Sequence, residues 1–91
     1  MTDRIKRMFD REKQIIRDAI TLIQSSDDPL KRQPAFNTGL TAIGVLRGYS
    51  DAFLINNVIT FDEQYLEDRD RVALMFELYD VYYIPKVGDE D

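Results

Sequence analysis

Asn56-Asn57-Val58-Ile59-Thr60-Phe61-Asp62-Glu63 reads as a helix end followed within a few residues by a helix start, and it sets the architecture of the chain. Asparagine side chains compete for backbone hydrogen bonds, so Asn56-Asn57 closes the element before them. Thr60 and Glu63 form a capping box: the hydroxyl accepts from the backbone N–H three residues on, and the carboxylate reaches back to the cap. Asp62 suits the positive end of the helix dipole. Val58-Ile59 is too short for a strand. From Thr60 the chain carries Phe61, Tyr65, Val72, Met75, Phe76, Tyr79, Tyr82 and Tyr83 on one stripe, expected to face a core, and Pro85 stops the helix.

Working backwards, Phe36, Leu40, Ile43, Leu46, Tyr49, Phe53 and Leu54 cover more than half the circumference of a central helix. Its expected start is near Pro34 or Ala35, with Leu30–Gln33 as a short turn of its own or an irregular connector. Further back, Ile5, Met8, Phe9, Ile15, Ile16, Ala19, Ile20 and Ile23 form one stripe, with Lys, Arg, Asp and Gln mostly outward. Ser25-Ser26-Asp27-Asp28-Pro29 breaks that helix. The spacing predicts an all-α fold, an antiparallel three-helix bundle with helices at about 3–24, 35–56 and 61–83. Residues 1–84 make a single helical domain and 85–91 a short acidic tail.

Composition removes several classes of function. The 91 residues include neither cysteine nor histidine, so disulfides, thiolate metal sites and imidazole chemistry are excluded. No apolar run reaches the ~20 residues of a membrane span. A cytoplasmic protein without cofactor is expected, and no catalytic constellation is present, so the chain reads as a non-enzyme. The net charge is −5, but residues 1–17 carry +3 and the remainder −8. Asp10 and Asp18 interrupt the basic face of the first helix, so nucleic acid is not an expected partner. A small anionic ligand or nucleotide on that face is the alternative reading.

Each apolar stripe holds one charge: Glu12, Arg47 and Asp68. Counted from the two turns they fall level in mid-bundle, and Arg47 is expected to bridge both carboxylates as a structural triad. Gly44, Gly48 and Ala52 form a small-residue row, read either as the packing groove for the first or third helix or, more sharply, as a self-association contact in a homodimer. The third helix has a second apolar face in Leu74, Leu78 and Val81. With Tyr79, Tyr82, Tyr83, Glu77 and Asp80 it is the expected partner-binding surface. The acids Asp62, Glu63, Glu67, Asp70, Glu77 and Asp80 are expected on the solvent side, where such a row solvates the helix or imitates a phosphate backbone. The expected function is a small acidic protein-interaction module, of the phage or mobile-element inhibitor or regulator type.

Tyr82-Tyr83-Ile84-Pro85-Lys86-Val87-Gly88-Asp89-Glu90-Asp91 resembles the Tyr-Tyr-Pro-Lys-Glu-Gly-Asp-Asp segment of DNase-colicin immunity proteins. In that family the tyrosines and acids bind the toxin nuclease, so the resemblance implies a nuclease-inhibiting partner interaction. It covers ten of 91 residues, includes an inserted Ile84, and lies at the chain end rather than before a further helix.

Overall fold

The computed structural model describes residues 1–84; the expected acidic tail at 85–91 lies outside them. Three helices share one core: α1 (Asp3–Gln24), α2 (Pro29–Ile55) and α3 (Phe61–Tyr83). Every pair of helices is in contact, and the body measures 50 × 24 × 18 Å. There is no strand among the described residues.

Each helix start is held by a side chain that satisfies an otherwise orphaned N–H. Thr2 Oγ1 accepts from the Ile5 amide at 3.2 Å, and Asp28 Oδ1 accepts from Leu30 at 3.0 Å. At α3 both halves of the expected capping box form: Glu63 N–H donates to Thr60 Oγ1 at 3.2 Å, and Thr60 N–H donates to Glu63 Oε1 at 2.9 Å. The end of α2 is equally specific. Asn57 takes a positive φ of 59°, which asparagine tolerates better than most residues. That turn aims the Val58 amide at Phe53 O (2.7 Å) and the Asn57 amide at Leu54 O (3.0 Å), so two terminal carbonyls are satisfied. It also drops Ile59 into the core.

The start of α2 corrects the expected boundary at residue 35. The helix begins at Pro29 and runs through Pro34, with no separate turn at Leu30–Gln33. Pro29 sits where its missing N–H costs nothing. Pro34 forfeits one i→i−4 bond near the helix start, and burial of Ala35 and Phe36 just beyond it offsets that loss.

Phe9, Ile16, Ala19, Ile20 and Ile23 of α1 pack with Phe36, Ala42, Ile43 and Leu46 of α2. Phe9 lies edge-on to Tyr49 and Phe53, both at 5.9 Å between centroids. From α3 only Leu74 and Leu78 are fully buried among the apolar residues. This reverses the expected orientation of α3: its smaller apolar face fills the core, while much of its longer aromatic stripe looks out.

The glycine that permits close packing is Gly39. A Cβ added there would meet Leu78 Cδ2 at 2.7 Å and Ala19 Cβ at 3.4 Å, whereas Gly44 and Gly48 have nothing within 4 Å. Gly39→Leu should therefore destabilise by about 2–3 kcal/mol through overpacking. Gly48→Ala should stabilise by roughly 0.5–1 kcal/mol through helix propensity alone. Urea unfolding of the two variants checks both signs.

Candidate protein-binding face

An α-helix turns about 100° per residue, so residues three, four and seven apart share a face. On α3 the residues at such spacings that remain at the surface are Phe61, Tyr65, Val72, Phe76, Tyr79 and Tyr83. Phe61 is 77% exposed, Tyr65 67%, Phe76 60% and Tyr83 64%, so four large rings stand mostly in solvent. The core does not need them, because Leu74 and Leu78 (0% exposed) already fill the space between α1 and α2. Near the C-terminal end of α3 the row is anchored by Phe36. That ring stacks on Tyr82 at 4.0 Å and meets Tyr79 and Tyr83 edge-on at 5.5 and 5.4 Å.

The expected partner-binding residues therefore divide. Leu74 and Leu78 are buried in the core and offer no surface, which corrects their assignment to an outer face. Val81 and Tyr82 are half-buried against that core. Tyr79, Tyr83, Glu77 and Asp80 are at the surface as expected. Gly44, Gly48 and Ala52 face outward on α2 and contact neither neighbouring helix closely. Phe61, Tyr65 and Phe76, which a count of apolar residues places in the core, are the strongest part of the exposed face.

The acidic face is also smaller than expected, because three of its six acids turn toward α1. Glu63 pairs with the Met1 ammonium. That hydrogen bond, followed by the one from the Thr60 amide, holds the Glu63 carboxyl below its usual range. Glu67 Oε2 and Asp70 Oδ2 both accept from Lys13 Nζ, at 2.9 and 3.1 Å, and the closest approach of the Glu67 ion pair is 2.6 Å, to Oε1. Asp62, Glu77 and Asp80 stay outside. A phosphate-backbone mimic thus loses half its charges.

The Glu12–Arg47–Asp68 triad does not form. Arg47 is exposed, at the margin of the buried arc, with Leu46 taking the core position beside it. Asp68 accepts from the buried Ser50 hydroxyl at 2.8 Å and faces Arg71 at 3.7 Å. The mid-bundle ion cluster is Lys13–Glu67–Asp70, one residue along from the expected positions on α1 and, for Glu67, on α3. Lys13 is only 5% exposed. The signal for it was present: Phe9, Lys13, Ile16, Ile20 and Ile23 follow the four–three spacing of a packing seam.

A cavity of about 500 Å³ lies at the α2–α3 turn, lined by Met1, Leu54, Val58, Ile59 and Phe61, with Glu63 at its edge. Asn57 and Thr60 share the lining with these apolar side chains, and the one cationic group there, the Met1 ammonium, is already paired with Glu63. None of the described helices is long and apolar enough to cross a membrane. Compared with protein-family models, curated proteins and solved structures, the chain matches none.

Proposed function

We propose that this chain is a non-enzymatic protein-interaction module that binds its partner on the outer aromatic face of α3. The rest of an antiparallel three-helix bundle serves as a rigid support. The observation that carries the reading is the row Phe61, Tyr65, Phe76 and Tyr83, exposed although the core is already complete. Large exposed aromatic side chains cost solubility, and contiguous apolar patches mark interaction surfaces. Phenyl and phenol rings also bring large contact area with little side-chain entropy to lose. Asp62, Glu77 and Asp80 border the row and favour a partner with basic groups at its rim. Such a module fits an inhibitor or regulator of another protein. A nuclease-immunity-type role would use Tyr83 with Glu77 and Asp80, since Tyr83 is largely exposed although it meets Phe36 edge-on, whereas Tyr82 is half-buried and stacked flat on that ring.

A photo-crosslinking side chain placed at position 76 tests this in an extract of the host cells. One discrete adduct at position 76, and none from the same group at position 48 of α2, is the expected result. Equal labelling from both positions would mean that α3 has no privileged surface.

A second reading has its own observation. Arg4, Arg7 and Arg11 share the outer face of α1, are exposed, and take part in no ion pair among the described residues. An anionic ligand or nucleotide held there would raise the melting temperature by several degrees at about 100 times its dissociation constant. Inorganic triphosphate without any such effect removes this reading.

A further inference from the structure

Resting on the α3 face as the interaction surface, we infer that the face pairs with a second copy of this chain. The two α3 helices run antiparallel about a two-fold axis at Val72. A two-fold contact is self-complementary: where residue i meets j, residue j meets i. The exposed row of α3 satisfies that condition in its sequence. Phe61 and Tyr83 lie equally far on either side of Val72, and so do Tyr65 and Tyr79. Antiparallel pairing therefore sets Phe61 against Tyr83 of the second copy, Tyr65 against its Tyr79, and the small Val72 against itself where the helices come closest.

One position breaks the symmetry. Phe76 has Asp68 as its counterpart, which would bury a charge if the carboxylate pointed outward. It is held inward, accepting from Ser50 Oγ at 2.8 Å and facing Arg71 at 3.7 Å. The Phe76 ring of the second copy then covers the outer edge of this pair without leaving it unpartnered.

The available area is of the right size. At ~150–250 Å² per aromatic side chain, the exposed fractions of the five rings amount to roughly 460–760 Å². A standard-size interface takes ~800 Å² per partner, so the row and its immediate flanks suffice for a specific dimer. The glycine row on α2 offers almost no apolar side-chain area, so the dimer expected from the sequence is relocated from α2 to α3. The acids Asp62, Glu77 and Asp80 lie beside the row rather than within it, so the contact places no carboxylate pair face to face.

The absence of cysteine makes the test direct. Under a mild thiol–disulfide buffer, Val72→Cys should give a disulfide-linked dimer, because the two-fold axis brings the two sulfurs together. Tyr65→Cys mixed with Tyr79→Cys should cross-link as a heteropair and neither variant alone, while Gly48→Cys should not cross-link. Light scattering on the wild type should show the mass rising toward twice 10.7 kDa with concentration. Phe76→Glu, checked for helicity by circular dichroism, should weaken association at least ~30-fold. Cross-linking through Gly48→Cys but not Val72→Cys overturns the proposal. So does a wild type that stays monomeric without a Val72→Cys dimer. In that monomer, apolar-dye binding abolished by Phe76→Glu leaves the interaction face standing with another partner, and its absence removes the face as well.

Discussion

Lys13→Ala should melt about 8–32 °C below the wild type, the largest loss expected from a single polar side chain here. The ammonium is almost wholly buried and is held by Glu67 at 2.6 Å and Asp70 at 3.1 Å. Removing it strands Glu67, whose side chain is 13% exposed, and leaves Asp70, which retains access to water. Breaking a buried pair from one side costs ~3–5 kcal/mol, and the hydration left to Asp70 lowers the expectation to about 2–4 kcal/mol. At ~4–8 °C per kcal/mol for a domain this small, that loss gives the stated range. Lys13→Met combined with Glu67→Leu should recover most of it, because an apolar pair of similar volume avoids the desolvation cost. Arg47→Ala, at an exposed position, should change stability by less than about 0.5 kcal/mol.

The same cluster has a pH signature. Burial by itself lowers the Lys13 pKa, but hydrogen bonds and charge from Glu67 and Asp70 outweigh it and hold the group above 10.5. A folded-state pKa above the unfolded one means that the contribution is fully present below about 10.5 and is lost as pH rises through the folded value. The stability gap between wild type and Lys13→Ala should be flat near neutrality and close only in strongly alkaline solution. Chemical denaturation at several pH values measures it.

Arg32→Ala is expected to cost about 2–3 kcal/mol. The guanidinium lies near the start of α2, where it joins the ends of the other two helices. Nη1 donates to Ile23 O at 2.7 Å and Ser26 O at 3.1 Å, and Nη2 donates to Val81 O at 3.3 Å and Tyr82 O at 3.2 Å. Neither α1 nor α3 has a basic residue in its last turn, so Arg32 supplies the positive charge that both C-terminal dipoles favour. Charge-assisted hydrogen bonds contribute ~1.5–3 kcal/mol, and the planar fork is what reaches two helices at once. Arg32→Lys should therefore recover less than half of the loss in thermal denaturation.

The sequence was most readable where the chemistry is local. Thr60 and Glu63 form their box, Asn57 makes the expected stop, and the limits of α1 and α3 fall where periodicity puts them. Local rules misled at Pro34, because a proline this near a helix start is survivable when the next two side chains are buried. They also failed on α3, which is apolar on two sides. Counting favours the eight-residue stripe, but the space left by α1 and α2 takes Leu74 and Leu78 fully and Met75, Val81 and Tyr82 only in part, and Lys13 draws Glu67 and Asp70 to that same side. The charge cluster shows how fine this margin is. Glu12 and Lys13 are neighbours, as are Glu67 and Asp68, and one residue is a rotation of about 100°. Arg32 carried no sequence signal, since its acceptors are backbone carbonyls from distant segments.

The proposed interaction face exists because α3 turns Leu74 and Leu78 inward and its aromatic row outward. Hydroxyl-radical footprinting at a concentration low enough to keep the chain monomeric tests it most directly. Phe61, Tyr65, Phe76 and Tyr83 should oxidise rapidly, with Phe9 and Phe36 protected. Phe76 and Tyr65 as protected as Phe9, with Leu74 and Leu78 modified instead, would contradict it by turning α3 about its axis and removing the interaction face.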